Sequence, residues 1–166
     1  MPPIKSICVF CGSSAGSRPE YTLKARDLGL LLAEKNITLV YGGSNVGIMH
    51  VIAEAVLEAG GKVIGVMPHN LIQREVAHKG LTQFYKVETM AERKARMDEL
   101  SDAFIAMPGG IGTLDEIFEV MSWNQLELIN KPVALYNVLG YYDQLLNFLD
   151  HSVNQHFVKP EHRLNL

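Results

Sequence analysis

The run Ala103-Phe104-Ile105-Ala106-Met107-Pro108-Gly109-Gly110-Ile111-Gly112-Thr113-Leu114-Asp115-Glu116 constrains this chain more than any other part of it. Its first five residues are apolar with no polar alternation, the length and character of a buried strand. Beyond the turn, Leu114, Ile117, Phe118 and Met121 recur at helical spacing. A proline and three glycines separate the two patterns. A buried strand that breaks into a glycine turn and then opens a helix leaves backbone N–H groups aimed at one place. The positive end of the helix dipole points there too. Such a corner binds anions, phosphate above all.

The rest of the chain repeats the strand-then-helix unit. Apolar runs suggest strands at 4–11, 37–41, 62–67, 84–87, 103–107 and 131–136. Helical patterns run from Pro19 to about Lys35, after the 42–47 loop to Ala59, over Met90–Leu100, after the glycine turn to about Leu128, and from Tyr141 to about His151. In the first of these, Leu23, Leu28, Leu31 and Leu32 supply the apolar stripe. The stretch from His69 to Gly80 has mixed character and takes no assignment. The tail shows no closing helix, from which we expect the natural chain to run past Leu166. Unalternated apolar strands interleaved with helices specify a parallel sheet covered on both faces. The expected fold is therefore α/β: a doubly wound, Rossmann-like parallel sheet with helices on both faces, one domain over residues 1–166. In such sheets ligands sit beyond the carboxyl ends of the strands, where the strand order reverses. The loops Gly12–Ser17, Gly42–Gly47 and Gly109–Gly112 should share that edge.

Bulk properties exclude several classes. A length of 166 residues, 48% of them hydrophobic, supports one well-buried core and is short for two. The net charge of −3, with both signs mixed along the chain, points to neither a nucleic-acid nor a membrane partner. No segment approaches ~18 apolar residues, and the N-terminus lacks a signal peptide's apolar stretch. A soluble, cytoplasmic protein is expected. Cys8 and Cys11 form a C-x-x-C, a spacing seen in redox and metal sites. Within a strand they would face opposite ways, and no second pair exists to complete a zinc site, which favours a structural role.

Two common phosphate loops can be tested. Gly42 to Gly47 has P-loop spacing, but Ile48 and Met49 stand where a lysine and a hydroxyl residue are needed. The dinucleotide pattern G-x-G-x-x-G is absent. Kinase, NTPase and NAD-dependent chemistries lose ground, and neither a metal nor another cofactor is required. No Gly-x-Ser-x-Gly elbow occurs, and His50, His69 and His78 are too scattered along the chain to argue a metal. Thr113 and Glu116 have two readings. Thr-x-x-Glu at a helix start is a capping box, yet Glu116 shares its helix side with Val120 and Trp123, along a pocket wall, whereas Asp115 and Glu119 mark the solvated side. Arg93 and Lys94 also have two. Their helix carries enough charge to be a solvated one, with Glu92 and Arg96 paired. But Met90, Arg93, Lys94, Met97 and Leu100 form one stripe, so a cation must lie on or beside the inward face. There it is costly unless a phosphate or carboxylate meets it.

Pro108-Gly109-Gly110-Ile111-Gly112-Thr113-Leu114-Asp115-Glu116 matches the PGGxGTxxE motif of the LOG (LONELY GUY) family, the cytokinin riboside 5′-monophosphate phosphoribohydrolases. Met90-Ala91-Glu92-Arg93-Lys94 resembles that family's M-x-x-R-K segment. Phe10-Cys11-Gly12-Ser13-Ser14 and Tyr41-Gly42-Gly43-Ser44-Asn45-Val46-Gly47-Ile48-Met49 resemble its first two loops, with Ser44 where the family usually has a third glycine. The resemblance spans nearly the whole chain. It implies hydrolysis of the N-glycosidic bond of AMP or a cytokinin nucleotide to free base and ribose 5-phosphate, by a homodimer with sites near its interface. Glu116 and Arg93 would be catalytic. Lys94, Gly109, Gly110, Ile111, Gly112, Thr113, Leu114 and Asp115 would contact substrate, joined by Glu75, Ser122, Gly12, Ser13 and Gly43. Such proteins have often been labelled lysine decarboxylases, but no motif around a Schiff-base lysine is recognisable here. The rival reading is a non-catalytic nucleotide-binding or sensing module, which needs the phosphate loop and no carboxylate at C1′.

Overall fold

The computed structural model describes residues 3–72 and 76–163. Six strands form one sheet: β1 (Ser6–Phe10), β2 (Thr38–Tyr41), β3 (Val63–Pro68), β4 (Gln83–Val87), β5 (Ala103–Ala106) and β6 (Val133–Leu135). They interleave with α1 (Pro19–Glu34), α2 (Gly47–Glu58), α3 (Met90–Glu99), α4 (Ile111–Gln125), α5 (Asp143–Asn154) and a short α6 (Pro160–Arg163). The spatial order is β4-β3-β2-β1-β5-β6, with every pair parallel. This is a Rossmann-like α/β architecture. The chain works outward from β1 to β4, then returns to lay β5 on the other side of β1 (Cys8 opposite Phe104, Phe10 opposite Ala106). The helices that follow β1 and β5 therefore lie on opposite faces of the sheet, α1 on one and α4 on the other, and the edge above these two strands is where such folds bind ligands.

Strand alternation divides the core in two. Val9, Cys11, Leu39 and Tyr41 pack with Ala25, Leu32, Ile52 and Val56 of α1 and α2. Cys8, Phe10, Val40 and Phe104 pack with Met97, Ile117 and Val120 of α3 and α4. Cys8 and Cys11 thus lie on opposite faces of the sheet, as free buried thiols. Because both faces are covered, the strands need no polar alternation.

The α1 stripe differs from the leucine pattern. Its buried residues are Ala25, Gly29 and Leu32, while Leu23 and Leu31 are exposed. Small residues win because α2 approaches closely: a Cβ on Gly29 would stand 2.8 Å from the Ile52 carbonyl oxygen. The stretch after β3 opens with a 3-10 turn, His69–Leu71, and the tail carries α6 where no helix was expected. Among the described residues, no helix is long and apolar enough to cross a membrane.

Candidate active site

The three glycine-bearing loops meet at the carboxyl edge of the sheet and are joined through backbone. Gly12 N–H donates to the Pro108 carbonyl (3.1 Å), and the Gly12 carbonyl accepts from Ile48 N–H (3.1 Å) at the start of α2. Contacts this close leave no room for side chains. A Cβ on Gly12 would lie 3.3 Å from the Gly109 Cα, and one on Gly109 would collide with Thr113 Oγ1. Gly47, at φ +60°, backs directly onto the Ser13 main chain.

Helix α4 starts on this platform with Gly110 as its N-cap (φ −94°, ψ −157°), which offers no side-chain cap. The first intrahelical bond runs from Leu114 N–H to the Gly110 carbonyl (3.2 Å). By helix geometry the amides of Ile111, Gly112 and Thr113 have no acceptor within the helix, and they sit at its positive end. The capping-box reading of Thr113 and Glu116 is corrected here. Thr113 is the third helical residue, not the cap, because the glycine turn lets the helix begin three residues earlier, at Ile111. Glu116 falls in the second turn, half-buried, on the wall of a cavity of about 220 Å³. A Thr-x-x-Glu box caps α3 instead: Thr89 Oγ1 accepts from Glu92 N–H (3.1 Å), and the Glu92 carboxylate accepts from Glu88 N–H (2.8 Å). Glu92 is thereby a cap, and Arg96 pairs with Glu99 (2.9 Å) rather than with Glu92.

Arg93 lines the same cavity and is only 5% exposed. Its Nε donates to the Val66 carbonyl (3.0 Å) and its Nη2 to the Gly42 carbonyl (2.8 Å). Carbonyl dipoles from β3 and the β2–α2 loop hold the buried cation in place. The Cys8 thiol is raised well above the usual range, first by burial and then by the Glu116 charge, with Arg93 acting the other way. Burial and Glu116 push the Cys11 thiol up likewise. A carboxyl group and a guanidinium therefore line one cleft whose rim is the positive end of a helix without a side-chain cap.

The other sequence candidates divide. Gly12, Ser13, Gly110, Ile111, Gly112 and Thr113 line the cavity with Glu116 and Arg93. Gly109 lines a second hollow of about 270 Å³ on the far side of the loop, beside Tyr21 and Tyr141. Lys94 forms an ion-pair clamp between α3 and α4, with Glu119 (2.7 Å) and Asp115 (3.2 Å). The hydrogen bond that Lys94 donates to Glu119 raises the lysine's pKa. Leu114 packs in the core under α4. Gly43 (φ +78°) lies under the Phe84 ring, and Ser122 faces a separate hollow with Phe118, Met121 and Leu149. Glu75 lies outside the described residues. No lysine is among the described residues lining the cavity.

Two features had no sequence signal. Tyr142, 1% exposed, donates its hydroxyl to the Met107 carbonyl (2.6 Å), and Tyr141 donates to the Gly109 carbonyl (2.5 Å). These consecutive tyrosines hold the glycine loop from behind. The histidines are also less scattered than their positions in the chain imply: His50 and His78 stand with ring centroids 6.3 Å apart, next to Glu54. An antiparallel bridge between Ser44 and Ala77 brings them together.

Residues 49–166 match the family described as "possible lysine decarboxylase". The chain is 49% identical over 159 residues to the cytokinin riboside 5′-monophosphate phosphoribohydrolase LOG1 of Arabidopsis thaliana, covering 96% of this chain and 75% of that one. It is 47% identical over 159 residues to LOG5 of the same plant, covering 96% and 70%. Among solved structures, the molybdenum cofactor carrier protein from Chlamydomonas reinhardtii superposes with a TM-score of 0.71 at 23% identity, over 90% of this chain and 86% of that one. That likeness reports the fold. The sequence relatives show the family: the chain belongs to the LOG family of cytokinin riboside 5′-monophosphate phosphoribohydrolases.

Proposed function

We propose that this chain hydrolyses the N-glycosidic bond of a nucleoside 5′-monophosphate, AMP or an N6-modified AMP of the cytokinin type. One observation carries the reading: Glu116 and Arg93 share a cavity whose rim is the open start of α4. A 5′-phosphate held by the amides of Gly110, Gly112 and Thr113 leaves the ribose one helical turn away, at the Glu116 carboxylate. As the C1′–N bond breaks, positive charge builds on the ribose, as in glycoside hydrolysis. The Glu116 carboxylate stabilises that charge and takes a proton from the attacking water. The water oxygen joins C1′, the bonding pair stays on the base nitrogen, and that nitrogen takes a proton from solvent in exchange for the one Glu116 received, which Glu116 then releases. Arg93, anchored by two carbonyls, presents its remaining donors to substrate oxygens.

The relatives' activity on cytokinin nucleotides supports this substrate class. Incubation with AMP and with isopentenyladenosine monophosphate should release free base and ribose 5-phosphate, and the unphosphorylated ribosides should react far more slowly. Binding of both nucleotides without release of base would favour the sensing module instead.

We further propose a homodimer joined through the outer face of α4 and α5. Phe118, Leu126 and Phe148 are exposed there, and the hollow between the helices is walled by Met121, Leu149 and Val158. An apolar face of this kind marks a protein–protein contact. Ser122, a substrate contact by the family resemblance, opens into the same hollow, which supports an interface near the substrate site.

A further inference from the structure

The side of α2 facing away from the nucleotide cavity carries a cluster that the hydrolysis does not use. His50 and Glu54 are one turn apart on α2, and His78, buried, comes from the segment before β4. One ligand atom from each lies within 4.8 Å of the others. The backbone fixes this meeting: Asn45 N–H donates to the Val76 carbonyl and His78 N–H to the Gly43 carbonyl (2.9 Å each). We propose that His50, Glu54 and His78 bind one divalent transition-metal ion of the zinc class, which fastens α2 to the segment around His78.

The donor set selects the ion. Two imidazoles and a carboxylate suit zinc, cobalt or nickel, whereas magnesium and calcium require oxygen ligands. The His50 ring is oriented by a second partner, as metal-binding histidines are. His50 Nδ1 donates to Asn45 Oδ1 (2.8 Å), which leaves the lone pair on Nε2. His78 Nδ1 accepts from Gly80 N–H (3.0 Å), so its Nε2 carries the proton and donates it to Glu54 Oε1 (2.6 Å). The ion takes the place of that shared proton. The proton moves to Nδ1 of the same ring, and the Gly80 amide turns to solvent, which an exposed glycine permits. Tetrahedral ligands at about 2.0–2.1 Å from zinc stand about 3.4 Å apart, so side-chain rotations of about an ångström close the site.

The test is calorimetric titration of the whole, chelator-treated chain with zinc chloride, repeated with cobalt and magnesium. We expect one zinc per chain, a rise in melting temperature, a four-coordinate cobalt spectrum and no response to magnesium. His50→Ala and Glu54→Gln should each weaken zinc binding at least about tenfold. Both residues are half-buried, so folding survives where His78→Ala could fail. His50→Ala should still release base from AMP, which keeps this proposal separate from the hydrolase reading. Absence of saturable zinc binding overturns the site. Zinc binding that is unchanged in both variants overturns it equally, because the ion would then be held elsewhere.

Discussion

The space that a side chain at position 42 would need is filled by a guanidinium. A Cβ on Gly42 would collide with Arg93 Nη2, the nitrogen that donates to the Gly42 carbonyl. The backbone of one loop and the buried cation of another helix thus set each other's position. Gly42→Ala must displace Arg93 Nη2, leaving the buried Gly42 carbonyl unpaired at about 1–3 kcal/mol. We expect a lower denaturation midpoint, and a loss of kcat/KM beyond about tenfold because Arg93 leaves its place in the cavity. Unchanged kinetics in a destabilised Gly42→Ala protein would show that Arg93 need not be held there. That Arg93 or Lys94 would lie on or beside the inward face was legible in the sequence as a cation on an apolar stripe, and the structure buries Arg93. Its partners were not legible. Val66 and Gly42 contribute main-chain carbonyls, and a carbonyl carries no mark of residue type.

At the scale of elements, the glycine loop is stiff because other parts of the chain hold its carbonyls while its amides face the cavity. Tyr142 holds Met107. Tyr142→Phe keeps the ring in its apolar site and removes only that hydrogen bond, at a cost of about 1–3 kcal/mol in stability. Loosening the loop should raise KM for the nucleotide more than it lowers kcat, a split that steady-state kinetics would resolve. A second tie joins the start of β1 to the start of β5, where Asp102 accepts from the backbone N–H groups of Lys5 and Ser6. Those bonds hold its carboxyl below the ordinary range. A depressed folded-state value adds stability that is complete above the unfolded pKa of about 3.9. That contribution disappears as the pH falls through the lower folded value. Chemical denaturation of wild type and Asp102→Asn should therefore differ at neutral pH and converge in acid. The elements themselves were readable from apolar runs and glycine turns, because a two-faced parallel sheet asks only for apolarity. The Thr-x-x-Glu pattern misled at α4 and went unnoticed at α3, since spacing alone does not say which residue begins a helix. Tyr141, Tyr142 and the His50–Glu54–His78 group arise from contacts across many residues of chain, and no local period announces those.

At the scale of the whole molecule, the strand order determines where chemistry can occur. The reversal beside β1 gathers three glycine loops on one edge, and α3 and α4 bring Arg93 and Glu116 to the same crevice. The exposed apolar face of α4 and α5 belongs to the same scale. Phe148→Asp should shift sedimentation from dimer to monomer, whereas a wild-type chain that sediments as a monomer would remove the interface. The proposed hydrolysis depends most on Glu116 as the group at the anomeric carbon. Glu116→Gln keeps the shape of the side chain and removes its charge. With AMP as substrate and single-turnover base release as the readout, we predict a fall of about 10²–10⁴-fold. Nucleotide binding and melting temperature should stay near wild type. Base release by Glu116→Gln at the wild-type rate would contradict the account.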